Sequence, residues 1–303
     1  MKKILNFGSL NVDMVYSLPH FVRPGETLAA TKMELFPGGK GLNQSVALSR
    51  AGAEVYHGGK IAPDGKWLSD FLKERGADTR FVSMDGSATG TAVIQVPPSG
   101  ENCIIINHGA NYEITKEEID KAFSLFEKGD LLLLQNEINL IPYLIETAYN
   151  KGMDVVLNPS PIDDELLKLD LSHVKYILLN EIEGEAFTKE KEPEKILKAL
   201  SERYPGLKIV LTLGKDGAVY KDGDKLVRQN IYKVKAVDTT AAGDSFTGFF
   251  LASICEGKTV EEALSTAAKA SAIAVSRMGA ASSVPTMEEV KNAQLEEAET
   301  EVN

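Results

Sequence analysis

Four runs in the chain, "DLLLLQ", "MDVVLN", "VKYILLN" and "LKIVLTLG", are apolar at consecutive positions, not alternate ones. A strand with one face in water alternates apolar and polar residues. An unbroken run of Val, Ile and Leu has both faces covered, which is the condition of a strand in a parallel sheet. Segments with helical spacing, "LIPYLIETAYNKG" and "PEKILKALSERYPG", stand between the runs. Parallel neighbours need long crossovers, so this alternation predicts an α/β fold: a doubly wound, mostly parallel sheet flanked by helices. Ligands bind such sheets outside the carboxyl ends of the strands.

The N-terminal half adds to this plan. "KILNFGSL" reads as a buried strand, and "GGKGLNQSVALSRAG" as a glycine-opened helix with Leu42, Val46 and Leu48 inward and Gly52 as its stop. "DGKWLSDFLKERG" repeats the helical spacing through Trp67, Leu68, Phe71 and Leu72. Thr115 with Glu118, and Thr259 with Glu262, read as capping boxes. The excursion over residues 13–37 and the hairpin at 90–106, turned at Pro97-Pro98-Ser99-Gly100, predict a small β-sheet lid set into one domain that spans residues 1–303. Residues 296–303 read as a frayed acidic tail.

Composition excludes several functions. A formal net charge of -11 disfavours a nucleic-acid partner, because affinity for a phosphate backbone comes from Lys and Arg. No apolar run approaches the roughly 20 residues that span a bilayer. The opening "MKKILNFGSLNVD" has no signal-peptide core, so the expectation is a cytoplasmic protein without a membrane partner. Cys103 and Cys255 lie in apolar contexts and are expected to be buried thiols. The four histidines are scattered singly, without zinc-ligand spacing.

The stretch "AVDTTAAGDSFTGFFLASICEG" carries the chemistry. Thr239 to Gly243 precede an apolar helix, where small residues leave unpaired backbone N–H groups open to an anion. Asp244 follows in the first turn. It suits the helix dipole there, but it also repels any anion bound beside it. A carboxylate is explained in that place if it faces a reacting hydroxyl as a general base. Other nucleotide signatures fail: no G-x-G-x-x-G follows the first strand, and Gly257-Lys258-Thr259 lacks the upstream glycine of a P-loop.

In order along the chain, "GGKGLNQSVALSRAGA", "TGTAVIQVPPSGENCIIINHGAN", "NEIE", "TLGKDG", "DTTAAGDSF" and "RMGAASSVP" resemble the ribokinase, or PfkB-type, family of carbohydrate kinases. The resemblance implies ATP-dependent phosphorylation of D-ribose at its 5-hydroxyl. Asp244 is then the base, and the amides of Ala241, Ala242 and Gly243 form the anion hole. It implies a sugar site of Asn11, Asp13, Gly39, Lys40, Gly41, Asn43 and Glu137 with Asp244. The ATP side comprises Asn180, Thr212, Gly214, Gly217 and Gly243. It also implies Mg2+ held through water by Glu183, and K+ ringed by Asp238, Thr240, Ala274, Arg277, Gly279 and Ser283. A homodimer through the β lid follows from the same resemblance, and the departures in "GKIAPDGKW" imply a local loop change at the rim.

Each assignment has a plainer alternative. Asn11 and Asp13 also suit a turn after the first strand, the glycines a helix opening or turn, and Glu183 a solvated helix face. A related kinase for deoxyribose, another sugar or a nucleoside has the same motifs. A non-catalytic sugar- or nucleotide-binding protein would share the fold.

Overall fold

The computed structural model describes residues 2–298. The chain runs from the buried strand β1 (Ile4–Phe7) through β2 (Asn11–Ser17), β3 (Lys32–Gly38), α1 (Lys40–Arg50), β4 (Val55–Lys60), α2 (Lys66–Glu74) and β5 (Asp78–Ser83) to the hairpin β6 (Gly90–Val96) and β7 (Cys103–Asn107). It continues with α3 (Lys116–Phe123), β8 (Leu131–Gln135), α4 (Ile141–Lys151), β9 (Asp154–Asn158), β10 (Tyr176–Asn180), α5 (Glu181–Thr188) and α6 (Pro193–Arg203). The last part holds β11 (Lys208–Thr212), the hairpin β12 (Ala218–Asp222) and β13 (Lys225–Gln229), then α7 (Ala242–Cys255), α8 (Val260–Val275) and α9 (Met287–Asn292).

The main sheet has the order β13-β12-β11-β10-β9-β8-β1-β4-β5. The four apolar runs are the neighbours β8 to β11, paired in parallel, and the β12–β13 hairpin adds an antiparallel edge. Strand order reverses at β1, which lies between β8 and β4. The carboxyl ends of β8, β9, β10 and β11 carry Gln135, Asn158, Asn180 and Thr212, side by side along one rim of the sheet.

Each face of the sheet has its own core. One is built on Leu42, Val46, Leu68, Phe249, Phe250 and Leu264, the other on Phe123, Phe126, Leu144 and Leu197. The contact between α1 and α7 is close because Gly248 has no side chain. A Cβ there would overlap Ala47 and stand 2.8 Å from the Leu48 amide nitrogen. One turn earlier on each helix, this approach sets Asn43 and Gln44 against Asp244.

The second sheet has the order β3-β2-β6-β7 and joins the excursion to the hairpin through parallel pairing of β2 and β6. Met33, Leu35, Phe36, Ile104, Ile105 and Ile106 are exposed on it. The capping boxes at Thr115 and Thr259 form as expected. Among the described residues no helix is long and apolar enough to cross a membrane.

Three expectations are corrected. Trp67 is 37% exposed while its neighbours Leu68 and Leu72 fill the core, because the short helix α2 turns only one stripe inward. Cys103 is exposed at the start of edge strand β7, and Cys255 is half-buried; both are free thiols. The start of the tail is paired, not frayed: Lys233 N donates to Glu296 O at 2.9 Å and Ala298 N to Ile231 O at 2.8 Å. The rest of the tail, residues 299–303, lies outside the described residues.

Candidate active site

The N-terminus of α7 is the centre of the site. Ala241 is its cap residue, and Ala242 N donates to Thr239 O at 3.2 Å. That bond takes one of the three expected anion-hole amides into a turn. Among the described residues the amides of Ala241 and Gly243 have no backbone acceptor, and Gly243 lines both cavities at the site. A Cβ at Gly243 would meet nothing within 4 Å, so the backbone there is open to close approach. Asp244 is only 6% exposed, and its two carboxylate oxygens accept from Asn43 Nδ2 at 3.0 Å and Gln44 Nε2 at 2.9 Å. Asn43 Oδ1 is buried without a hydrogen-bond partner.

Glu137 lies just beyond β8, at 5% exposure, and accepts from the Lys40 backbone N at 2.9 Å and from the Ser9 hydroxyl. Ser9 also accepts from Gly41 N at 3.2 Å, so the loop after β1, the start of α1 and Glu137 are tied together. Gly41 has no alternative here, since its Cβ would press on the backbone of Gly8 at 2.5 Å. Gly39 adopts φ 91°, beside Ser9 and Asn11. Burial first, then the charges of Glu137 and Asp244, push the Asp13 carboxyl up to about 7. For Lys40, burial alone would lower the pKa, but the carboxylates of Asp244, Glu137 and Glu183 outweigh it and hold the ammonium above its usual value. Asn11 accepts from Asn111 Nδ2 at 2.7 Å, and Asn111 in turn accepts from Leu10 N at 3.0 Å. The pair ties the start of β2 to the turn after β7, and Asn11 is the first residue of β2, so it is not a simple turn residue.

Two cavities meet at Gly243. The smaller, about 200 Å³, is lined by Lys40, Asn180, Glu183, Thr212, Gly243 and Asp244 among others. The larger, about 700 Å³, has a mostly apolar wall that includes Val234, Ala268, Ala272 and Val275, and it takes in Gly214 and Gly217. Asn180, Thr212 and Gly243 line both. Gly217, at φ 87°, leaves no room for a Cβ, which would overlap Gln229 O. Glu183 is 7% exposed, which overturns the solvated-face reading. It is the third residue of α5 and forms a capping box with Asn180: Asn180 N donates to Glu183 Oε2 at 2.9 Å, and Glu183 N to Asn180 Oδ1 at 2.9 Å.

On the loop leading into α7, Asp238 accepts from Thr240 N at 3.0 Å and from Gly279 N at 2.9 Å. Val237 N donates to Val275 O at 2.7 Å, placing this loop at the carboxyl end of α8, next to Ala274. Ser283 is buried, with its hydroxyl on Ala280 O. The Arg277 guanidinium turns away to Glu289 at 2.6 Å, leaving only its backbone for the loop.

Residues 1–287 match the sequence pattern of the pfkB family carbohydrate kinases. The chain belongs to this family. It is 36% identical over 303 residues to a ribokinase of Haemophilus influenzae, covering 95% of this chain and 97% of the relative. The crystal structure of a ribokinase from Thermotoga maritima superposes with a TM-score of 0.85 at 36% identity, over 96% of this chain and 98% of the other. An Arabidopsis thaliana ribokinase, solved with ribose and ATP, superposes with a TM-score of 0.84 at 27% identity, over 96% and 97% of the two chains.

As a member of the PfkB family the chain is a carbohydrate kinase, and the candidate site brings together residues that motif reading passed over. Gln44, Gln135 and Asn158 converge on Asp244 or on its partner, Ser9 holds Glu137 and Asn111 holds Asn11. Gln44 and Asn111 stand inside quoted motifs, so a polar residue in an apolar helix was the available signal for Gln44. Gln135 and Asn158 end buried strands, where an amide is out of character for the run it closes.

Proposed function

We propose that the chain transfers the γ-phosphoryl group of ATP to the 5-hydroxyl of D-ribose, giving ribose 5-phosphate and ADP. The observation that carries this reading is Asp244: a buried carboxylate on the smaller cavity, next to Gly243 where the two cavities meet and beside unpaired helix N-terminal amides. The smaller, polar cavity and the Asp13, Lys40, Asn43, Glu137 group beside it suit a polyol. Asn11, Gly39 and Gly41 shape that group, and the unpaired Asn43 Oδ1 is an acceptor for a sugar hydroxyl. The larger cavity, with its apolar wall and close backbone at Gly214 and Gly217, suits a nucleotide.

In the reaction Asp244 takes the proton of the 5-hydroxyl as that oxygen bonds to the γ-phosphorus. The bond from phosphorus to the bridging oxygen breaks, and ADP leaves with that electron pair. The amides of Ala241 and Gly243, with the Lys40 ammonium, stabilise the charge on the transferring group.

Glu183 fits Mg2+: it is a buried carboxylate at a polar cavity with one oxygen used by the cap, and it would hold the ion through water. Mg2+ supplies neutralisation of phosphate charge. The oxygen donors that Asp238, Thr240, Ala274, Arg277, Gly279 and Ser283 offer, carboxylate, hydroxyl and carbonyl, near the carboxyl end of α8, suit K+, whose charge would order the loop behind the proposed anion hole. The exposed apolar residues of the lid sheet support a homodimer through it.

A coupled ADP-release assay with a panel of sugars and nucleosides tests the substrate. Turnover with ribose is expected. Turnover with another acceptor but none with ribose would overturn the sugar and leave the kinase. Asp244→Asn is expected to lower kcat roughly 10²-fold or more with ribose binding kept. A variant with unchanged kcat would remove Asp244 as the base.

A further inference from the structure

Asp244 is the visible end of a chain of buried amides. Asn6, Gln44 and Gln135 are each 0% exposed. Asn6 Nδ2 donates to Gly41 O at 2.7 Å and to Ser45 Oγ at 2.8 Å, which leaves its oxygen facing the next residue. Gln135 Nε2 donates to that oxygen at 2.9 Å and to Gln44 Oε1 at 2.7 Å. Gln44 therefore turns its nitrogen the other way, to Asp244 Oδ1 at 2.9 Å and Asn158 Oδ1 at 3.0 Å. Asn158 is itself oriented by donating to Leu178 O at 2.9 Å.

Each amide has one orientation compatible with its neighbours. Reversing Gln44 would set its carbonyl against the oxygens of both Asp244 and Asn158 and its NH2 against that of Gln135, forfeiting three bonds in a buried place. The direction of donation is anchored at two backbone carbonyls, Gly41 O and Leu178 O, which can only accept. A Cβ at Gly8 would overlap Gln135 Oε1, so the backbone closes in on the relay as well.

We propose that Gln44, backed by Gln135, is a positioning residue for phosphoryl transfer: the amide relay presents a fixed N–H donor to the catalytic carboxylate and sets the rotamer in which its other oxygen faces the sugar hydroxyl. This rests on Asp244 being the base. Gln44 neither lines the cavity at Asp244 nor has an amide N–H to spare for a ligand, and Gln135 does not touch Asp244.

The test compares wild type, Gln44→Met and Gln135→Met in steady-state kinetics with ribose and ATP, with folding checked by near-ultraviolet circular dichroism. Methionine keeps the volume and removes the donor. A hydrogen bond to a charged group is strong enough that kcat of Gln44→Met is expected to fall at least about tenfold, with the ribose KM within about threefold of wild type. The acid limb of kcat/KM moves to higher pH by about one unit. Gln135→Met gives the same pattern to a smaller degree, which a packing role at a distance would not.

The charged groups around Asp244 are Asp13 on β2 and Lys40 on α1, which interact with it directly, Glu137 beyond β8, which acts on both of these, and Glu183 on α5, which lines the same cavity; all are common to the three proteins, so a displaced limb reports the relay. Wild-type kcat and acid limb in Gln44→Met overturn the proposal. If that variant does not fold, the same result in Gln135→Met overturns it. Asp244→Asn, measured alongside, separates the two readings: an inactive Asp244→Asn with wild-type Gln variants removes only the relay.

Discussion

Asp13 sits on β2 with its carboxyl raised to about 7, chiefly by burial and then by the charges of Glu137 and Asp244. In the unfolded chain the same group titrates near 3.8. Between these values the native state holds a proton that the unfolded state has lost, so stability falls as pH rises through this window. Above it, the ionised Asp13 costs the ligand-free protein up to about 4 kcal/mol, an upper bound at about 1.4 kcal/mol per pH unit. Asp13→Asn is therefore expected to raise Tm at pH 8 and to lose that advantage by pH 4, as followed by scanning calorimetry, while kcat/KM for the sugar falls. A Tm difference that does not change with pH would show that Asp13 does not titrate in this range. The cost is of the kind that a binding site retains for its ligand. Its origin was not legible in the sequence: "NVD" identifies Asp13 as polar at a strand, but the carboxylates that press on it come from residues 137 and 244. Glu183 shows the same limit, since "NEIEGE" reads as an acidic surface until α5 is capped and packed against β10.

At the scale of elements, the strands and most helices were legible because their signals are local. The runs that became β8 to β11 are continuous in sequence, and so are the capping boxes of α3 and α8. The meeting of α1 with α7 is not local: it depends on Ala47 fitting against Gly248, whose Cβ position is already taken by the other helix. The spacing is regular, since Asn43 and Gln44 precede Ala47 and Leu48 by one turn, as Asp244 precedes Gly248. A side chain at Gly248 must therefore push the helices apart one turn from the contacts of Asn43 and Gln44 with Asp244. Gly248→Leu is expected to destabilise the fold by about 2 kcal/mol or more through overpacking. It should also lower kcat more than an equal destabilisation placed in the opposite core, for example by Leu197→Ala. Urea denaturation with parallel kinetics checks this, and equal kcat in the two variants would sever the link between helix approach and catalysis.

For the whole molecule, the open question is what covers the lid. Met33, Leu35 and Ile105 are exposed on the lid face opposite Asn11 and Asp13, and Phe36, Ile104 and Ile106 on the same face as those two residues, all six more than a third. In the dimer proposed above, the exposed apolar side chains of this lid, on a chain of net charge -11, meet the same side chains on the lid of a second copy. Like charge between copies opposes association generally, so the attraction must come from burial of this patch, at about 25 cal/mol per Å². Ile105 is 60% exposed on β7, and charge introduced there has no route back to water once the patch is covered. Ile105→Glu is expected to convert a dimer to a monomer in analytical ultracentrifugation and to leave the Tm of the main fold within a few degrees. Because β2 carries Asn11 and Asp13 in the same sheet, releasing the lid should raise the ribose KM more than it lowers kcat. A wild-type protein that sediments as a monomer at micromolar concentration would refute lid pairing. A monomeric Ile105→Glu variant with unchanged KM would keep the pairing but separate it from sugar binding.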